Sequence, residues 1–360
     1  MKICLMSDAS ALHTVRWANA LVARGHELDL ITMSDTGDNI IDPRVTIHRL
    51  NYDNPRMNKY EVRSLLRNIQ PDIMHAYDAS NYGTLARHAN YKPYVLSAWG
   101  TDIYLYPNQS KRHEKRLCKN LRAAAEIIST SKAMCTEVKT YVQDPPPIKI
   151  IPFGVDTTLF RSTANSRSDN STITIGTVKN LYAMYGVDTL INTFVMLLNG
   201  LRENDEKELA NLLHLRIVGD GPDRDHLERL VAEHEIADIT EFVGAVSNEK
   251  VPAELEQIDI YCALSRSESF GVSVLEASAC NVPVIVSSIG GLPEVIKDGE
   301  TGYLVDRENK PQIIERLYEL ASNPKLRSEM GENGREFVEN NYNWQGSIEQ
   351  IEELYKSLIK

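Results

Sequence analysis

Apolar residues in this chain come in short runs separated by amphipathic stretches. Ile3–Met6, Leu28–Thr32, Val45–Arg49, Ile73–His75, Tyr94–Ser97, Ile127–Ser129 and Lys149–Ile151 have the length and β-propensity of strands. Helical patterns such as Thr14–Arg24 lie between several of them. The alternation predicts parallel βαβ units in a doubly wound sheet. It breaks where Thr, Ser, Asn, Arg and Asp crowd together, which predicts an interdomain linker at 155–171. It then restarts with Thr172–Val178, Leu215–Val218, Ile239–Val243, Ile258–Ala263 and Val284–Val286. The expected architecture is α/β, with two Rossmann-like domains at 1–154 and 172–342. The amphipathic run Ser347–Ile359 predicts a last helix, at about 343–360, that is a candidate to pack back on the first domain.

Ligands of open parallel sheets bind outside the carboxyl ends of the strands. The loops of interest are therefore Ser7–His13, His75–Gly83, Ala98–Tyr104, Val178–Gly186, Gly219–Asp223, Gly244–Asn248 and Leu264–Gly271. If the domains face each other, all seven line one cleft. The densest signal is the run from Ser265 to Ala277, S-R-S-E-S-F-G-V-S-V-L-E-A, which follows an apolar strand and opens a helix. Gly271 permits a close turn, and the free amides of a helix start, at the positive end of its dipole, suit a diphosphate. Glu268 and Glu276 bracket that start, and each carboxylate is able to hold a sugar diol. The same residues also fit a capped helix with two solvated glutamates.

This segment resembles glycosyltransferase family 4, retaining enzymes of the GT-B fold, and in particular a subgroup linked to surface polysaccharides. The Glu268–Glu276 pair matches the family's signature. So do Val218-Gly219-Asp220-Gly221-Pro222, Phe242-Val243-Gly244, Gly290-Gly291-Leu292-Pro293-Glu294 and Asp298-Gly299-Glu300-Thr301-Gly302. Pro152-Phe153-Gly154-Val155-Asp156 and Tyr342-Asn343-Trp344 extend the likeness over nearly the whole chain. The resemblance implies transfer of a sugar from a nucleotide-diphosphate donor to a sugar or lipid-linked acceptor. It assigns Glu268 to the donor sugar, the backbone of Ser269, Phe270, Gly271 and Val272 to sugar and phosphate, and Glu276 to the ribose. It assigns Lys179 to the diphosphate, whose leaving charge a lysine neutralises. By residue type alone Lys179 is an ordinary loop lysine. Gly244 belongs to the same donor site. Many relatives carry a second basic residue where this chain has Met184, so the diphosphate is expected to lean on Lys179, Arg266 or helix amides. The Gly-Gly loop after strand one is replaced by Ser7–Trp17, and the His-Gly-x-Asp segment by Trp99-Gly100-Thr101-Asp102.

On the acceptor side, His13, His75 and Asp102 are candidates to orient an acceptor or relay a proton; each also fits a loop-stabilising role. Asp223-Arg224-Asp225 has the form of a metal–nucleotide motif but sits where acidic residues favour a helix start. With no ligand cluster in the sequence, no metal or other cofactor is expected. Three rival readings share the fold: a sugar-nucleotide epimerase or phosphorylase, a nicotinamide dehydrogenase, and a non-catalytic partner subunit. The second lacks a G-x-G-x-x-G after strand one. Met184 and the missing Gly-Gly keep the third open.

Composition adds three points. With 42% hydrophobic and 25% charged residues, 360 residues suffice for two cores. The N-terminus reads as a strand rather than a signal peptide, and the five scattered cysteines form no CxxC, so a cytoplasmic setting is expected. The net charge of −11 is uneven: residues 1–154 hold 20 Lys and Arg against 15 Asp and Glu, and the remainder holds 19 against 35. Nucleic acid is therefore not an expected partner. Within the first half, Lys111–Arg122 is a basic amphipathic segment with Lys111, Lys115, Lys119 and Arg122 on one face. It fits peripheral contact with anionic lipid at the cytoplasmic membrane face, and equally a solvated surface helix.

Overall fold

The computed structural model describes residues 1–37, 40–162 and 172–359. The chain divides into two compact units, Met1–Pro152 with Gln345–Lys360, and Phe153–Trp344.

The strands of the first unit are β1 (Lys2–Met6), β2 (Glu27–Thr32), β3 (Thr46–Arg49), β4 (Ile73–Tyr77), β5 (Tyr94–Ser97), β6 (Glu126–Ser129) and β7 (Ile148–Ile150). Its helices are α1 (Leu12–Ala23), α2 (Lys59–Ile69), α3 (Asn81–Ala89), α4 (Thr101–Tyr104), α5 (Lys111–Ala123) and α6 (Lys132–Tyr141). All pairings are parallel, in the order β3-β2-β1-β4-β5-β6-β7. Every residue of β4 and β5 is buried, as expected for central strands of a sheet covered on both faces. That explains their unbroken apolar runs and the absence of a polar–apolar alternation.

The second unit contains β8 (Ile173–Val178), α7 (Val187–Glu203), α8 (Lys207–Leu212), β9 (Leu213–Val218), α9 (Arg224–Glu233), β10 (Thr240–Gly244), α10 (Val251–Leu255), β11 (Ile260–Ala263), α11 (Val272–Ala279), β12 (Val284–Ser287), β13 (Gly302–Val305), α12 (Lys310–Ser322) and α13 (Pro324–Asn341). Its sheet is also parallel, ordered β10-β9-β8-β11-β12-β13. The strand β13 was not among the expected ones. Its four residues are too few for a period to emerge, and register with β12, Val284 to Gly302 through Ser287 to Val305, defines it. One core joins Ile175, Ile217, Ile260 and Ile285 of the strands to Phe194, Leu227 and Leu317 of the helices.

The expected linker needs correction at its start. Residues 153–162 belong to the second unit: Val155 bridges to Asn343, Phe160 is 1% exposed, and Arg335 donates to the Phe160 carbonyl. The rest of that linker, 163–171, lies outside the described residues.

The last helix, α14 (Trp344–Leu358), joins the first unit from Gln345 onward. Ile348, Ile351, Leu354 and Tyr355 are buried at helical spacing. Polar contacts then select its seat. Glu352, 7% exposed, accepts from Arg24 Nε at 3.1 Å, Arg24 Nη2 at 2.9 Å and lies 2.8 Å from His26 Nε2. The Tyr355 hydroxyl lies 2.5 Å from His75 Nδ1.

Candidate active site

In each sheet the chain reverses direction of winding between two central strands, β1 and β4 in the first unit, β8 and β11 in the second. The loops leaving such neighbours diverge to opposite faces and open a crevice. In the second unit that crevice receives Lys179, directly after β8, and Glu268, after β11. The two form an ion pair, with side chains 7% and 12% exposed. The Lys179 ammonium also lies 4.2 Å from the centroid of the Tyr185 ring, an attraction that desolvation strengthens. Both groups are thus held in one place before any ligand is considered.

Glycines explain how these loops come so close. Gly219 has a φ of +135°, and a Cβ there would stand 1.8 Å from the Lys179 carbonyl oxygen. At Gly290, with φ +53°, it would stand 1.8 Å from the Glu268 carbonyl oxygen. Gly221 and Gly291 pack in the same way on Leu181 and Ser269. The G-D-G-P and G-G-L-P-E motifs are therefore the floor beneath the loops that carry the ion pair. Gly244 ends β10, and its carbonyl accepts from the Gly219 amide at 2.8 Å.

Gly271, at φ +108°, is the turn into α11, and Val272 is its first residue. Ser269 lies between Glu268 and Phe270, and its amide donates to Glu268 Oε1 at 3.2 Å. Phe270 is 2% exposed, with its ring 5.7 Å from that of Tyr342, so its side chain is packed inside the unit. Glu276 is half-buried in the second turn of α11. Behind it lies the buried hydroxyl of Tyr261, which donates to the Val178 carbonyl at 3.2 Å. Burial first, and among lesser influences the Glu276 charge, push this phenol up. Glu276 is thus within electrostatic reach of the hydroxyl that bonds to the end of β8.

Arg266 is committed elsewhere. It makes a two-pronged contact with Asp188, at 2.8 and 2.6 Å, and donates to the Ala183 carbonyl at 2.6 Å. Burial opposes ionisation of Asp188, yet Arg266 brings its carboxyl below the usual range. The Met184 carbonyl accepts from the Arg266 amide at 2.7 Å. Arg266 thus ties the loop after β8 to the loop after β11, and its charge is already matched. Arg266 was expected as one support for a diphosphate; it is paired with Asp188, as Lys179 is with Glu268, and the pairing fixes the two loops. Asp223 precedes α9 and Asp225 lies in its first turn, while Arg224 pairs with Glu228 at 2.7 Å.

The first unit holds a cavity of about 550 Å³ at its own switch point, between the ends of β1 and β4. Asp8, Tyr77, Asp78, Asn81, Tyr82 and Trp99 are among its lining residues, and the Tyr77 and Trp99 rings stack at 5.0 Å. None of the three acceptor-side candidates is among them. His75 requires correction: it lies within β4, not in a loop, and is fully buried. Its Nδ1 meets Tyr355 and its Nε2 meets Ser97 Oγ at 2.7 Å, and burial pushes its pKa down to about 3. It is a neutral strut for α14 and does not meet an acceptor. Asp102 is 4% exposed and accepts from the amides of Ala79 and Gly100, each at 2.7 Å, and Trp99 at 3.1 Å. Burial, then the nearby Asp78, push its carboxyl up to about 7. Its role is to clamp the loops after β4 and β5. His13 lies in the first turn of α1, half-buried, with its ring 5.9 Å from Trp99. Burial and Arg16 push its pKa down to about 3. Of the three, it stands nearest a cavity-lining ring. Tyr77, Asn81 and Tyr82 lie within the expected ligand-side loop His75–Gly83 but follow no motif, so sequence reasoning did not single them out; the β1–β4 adjacency does.

On α5, Leu117, Asn120 and Leu121 are buried, while Lys111, Arg112, Lys115, Lys119 and Arg122 are exposed. Among the described residues no helix is long and apolar enough to cross a membrane, and no group of three or more His, Cys, Asp or Glu gathers as metal ligands would.

Comparison with known proteins matches residues 161–337 to the family described as Glycosyl transferases group 1, and residues 2–131 to Glycosyl transferase 4-like. The chain belongs to the family 4-type glycosyltransferases of the GT-B fold. An uncharacterized glycosyltransferase of Methanocaldococcus jannaschii is 26% identical over 96% of this chain and 93% of its own. N-acetyl-alpha-D-glucosaminyl L-malate synthase of Bacillus anthracis is 36% identical over 41% of this chain, which spans 38% of that protein's length. Among solved structures, sucrose-phosphate synthase from Thermosynechococcus elongatus superposes with a TM-score of 0.84 at 20% identity, covering 99% of both chains. Anabaena HepE in complex with UDP-glucose superposes with a TM-score of 0.80 at 16% identity, covering 99% of this chain and 100% of that one.

Proposed function

We propose that the protein is a retaining glycosyltransferase that uses a nucleoside-diphosphate sugar. The observation that carries this reading is the half-buried Lys179–Glu268 pair at the β8–β11 switch point. A diphosphate oxygen competes with Glu268 for the Lys179 ammonium. Glu268 then turns both oxygens to the donor sugar, and Glu276 holds the ribose diol. The amides at the start of α11 receive the phosphates. In the transfer step the acceptor hydroxyl forms a bond to the anomeric carbon as the bond from that carbon to the β-phosphate oxygen breaks. The electron pair leaves with the diphosphate, Lys179 stabilises the charge that develops there, and the acceptor's proton passes to the departing phosphate oxygen. No protein base and no metal is required. Arg266 serves by fixing the two loops rather than by touching phosphate.

The acceptor belongs to the first unit, and the role is in cell-surface polysaccharide or glycolipid assembly. The basic face of α5 supports a lipid-linked acceptor reached from the cytoplasmic side of a membrane. The capture of UDP-glucose by a structural neighbour supports a nucleotide sugar as donor.

A thermal-shift screen of nucleotide sugars identifies the donor, and rate assays with product stereochemistry follow. Glu276→Ala is expected to weaken nucleotide binding, and Glu268→Ala and Lys179→Ala to lower turnover, with activity retained in excess EDTA. Unchanged binding and turnover in all three variants refutes the assignment. Activity lost in EDTA and restored by manganese refutes the metal-free step.

A further inference from the structure

A second charged cluster lies in the first unit, away from the Lys179–Glu268 pair, where α2, α3 and α5 pack side by side. Arg87 on α3 is half-buried and donates from Nε to Asn120 Oδ1 on α5 at 2.9 Å. Asn120 is itself fully buried, held by the Ala79 and Ser80 carbonyls and the Thr84 hydroxyl, each at 2.9 Å. Arg116, one turn earlier on α5, donates from Nη1 to the Tyr106 hydroxyl at 3.1 Å. Its Nε is buried and has no hydrogen-bond partner. Arg56 and Arg116 both lie within electrostatic reach of Arg87, and Arg56 and Arg116 also act together on Tyr106. Next to Arg87, His88 feels Lys59, Arg56 and Arg63 as well; burial first and then these cations push it down to about 4.

No carboxylate is ion-paired with Arg56, Lys59, Arg63, Arg87 or Arg116 among the described residues. Elsewhere the chain pairs its arginines closely, as with Arg24 and Glu352, Arg216 and Glu254, or Arg266 and Asp188. Half-buried guanidinium groups that repel one another, one with an orphaned N–H, are a destabilising arrangement that a multivalent anion relieves. A planar guanidinium offers paired donors matched to phosphate oxygens. Flanking the cluster, Met57 and Leu105 are 55% and 46% exposed, each next in sequence to a member or partner of it, Arg56 and Tyr106.

We propose that Arg87 and Arg116, supported by the charge of Arg56, form an oxyanion site on the first unit, and that its ligand is the phosphate group of a phosphate ester. This stands on the cluster alone and is independent of the donor-site reading. Arg87 and Arg116 are preset by Asn120 and Tyr106, and Arg56, on the exposed loop before α2, adds positive charge within electrostatic reach of Arg87 and Tyr106. The exposed Met57 and Leu105 suit an ester whose other substituent is apolar.

The test uses the whole chain with two probes. One is glycerol 1-phosphate, followed by calorimetry and by the NMR titration of His88. The other is vesicles of phosphatidylglycerol and phosphatidylcholine, followed by co-sedimentation and compared with phosphatidylcholine alone. Binding of either phosphate probe is expected to weaken about tenfold for each arginine lost in Arg56→Gln and Arg116→Gln, a loss near 1.4 kcal/mol each. It is expected to remain in Arg112→Gln, which removes the same charge from the exposed face of α5, and in Lys179→Gln. Bound phosphate raises the His88 pKa. Melting curves of the variants show whether they fold, and Arg116→Lys, which keeps the charge but loses the planar fork, is expected to bind weakly even when stable. Binding of glycerol 1-phosphate marks a soluble ester; binding of anionic vesicles alone marks a lipid headgroup. Absence of both, or equal losses in Arg112→Gln and Arg116→Gln, overturns the site. Loss in Lys179→Gln alone assigns the phosphate to the donor site instead and likewise overturns it.

Discussion

Replacing Gly219 by Ala tests how the donor site is built, because it touches no ligand-facing side chain. The added Cβ would stand 1.8 Å from the Lys179 carbonyl oxygen, where real contacts of this kind essentially never fall below 3.0 Å. The two must separate by at least 1.2 Å, and the obstacle is backbone on both sides. Alanine at φ +135° adds strain of about 1–3 kcal/mol. Relief comes from moving the segment that starts at Lys179, so the ammonium leaves Glu268 and the phosphate position. A displacement near 1 Å at a catalytic group lowers rates about 100-fold, equivalent to about 2.7 kcal/mol of transition-state stabilisation. Gly299→Ala is the matched control. It has φ +77°, with nothing within 4 Å of its added Cβ, so it carries strain without collision. The assay is kcat/KM with the donor found by screening, beside a melting curve for each variant. Gly219→Ala is expected to lose about two orders of magnitude while Gly299→Ala loses stability only. A Gly219→Ala protein within threefold of the parent, or the same deficit in Gly299→Ala, refutes the reasoning.

Three further outcomes follow from the packing. Arg24 foremost, and His26 after it, hold the Glu352 carboxyl down at about 2 from an ordinary 4.5; its ionised form thus stabilises the first unit above pH 4.5, by about 3 kcal/mol, and that contribution fades as pH falls toward 2. Urea unfolding is expected to show Glu352→Gln less stable than the parent at pH 7, with the gap shrinking by pH 3; a gap independent of pH contradicts the latch. Gly200 sits inside α7 with open space at its Cβ position, so Gly200→Ala is expected to raise stability by about 0.5–1 kcal/mol without altering kinetics, checked by melting and rate assays. Replacing Lys111, Lys115, Lys119 and Arg122 of α5 by Gln is expected to weaken salt-sensitive co-sedimentation with anionic vesicles; binding that is unaltered by the replacement, or absent in the parent at low salt, removes the membrane role of that face.

The sequence by itself determined the class and named the residues of the candidate donor site. Twelve of the thirteen strands among the described residues announced themselves; the central ones are buried on both faces and read as short apolar runs, while the edge strands β3, β7 and β10 showed through β-propensity. Glu268, Glu276 and Gly271 were legible because they lie within one strand–turn–helix segment, where spacing along the chain is also spacing in space. Lys179 was legible only through family likeness; its pairing with Glu268 crosses 89 positions, and the β8–β11 adjacency makes it. Only the tertiary structure decided the rest. The pairing of Arg266 with Asp188 is invisible in sequence, because the two lie 78 positions apart. His75 was misread because its strand runs two residues further than the apolar signal, to Tyr77, which turns a loop histidine into a buried one. The seat of α14 depends on Glu352 and Tyr355 meeting Arg24, His26 and His75 across more than 270 positions. Local propensity encodes a helix and its apolar face, but the partner of that face is a property of the assembled sheet.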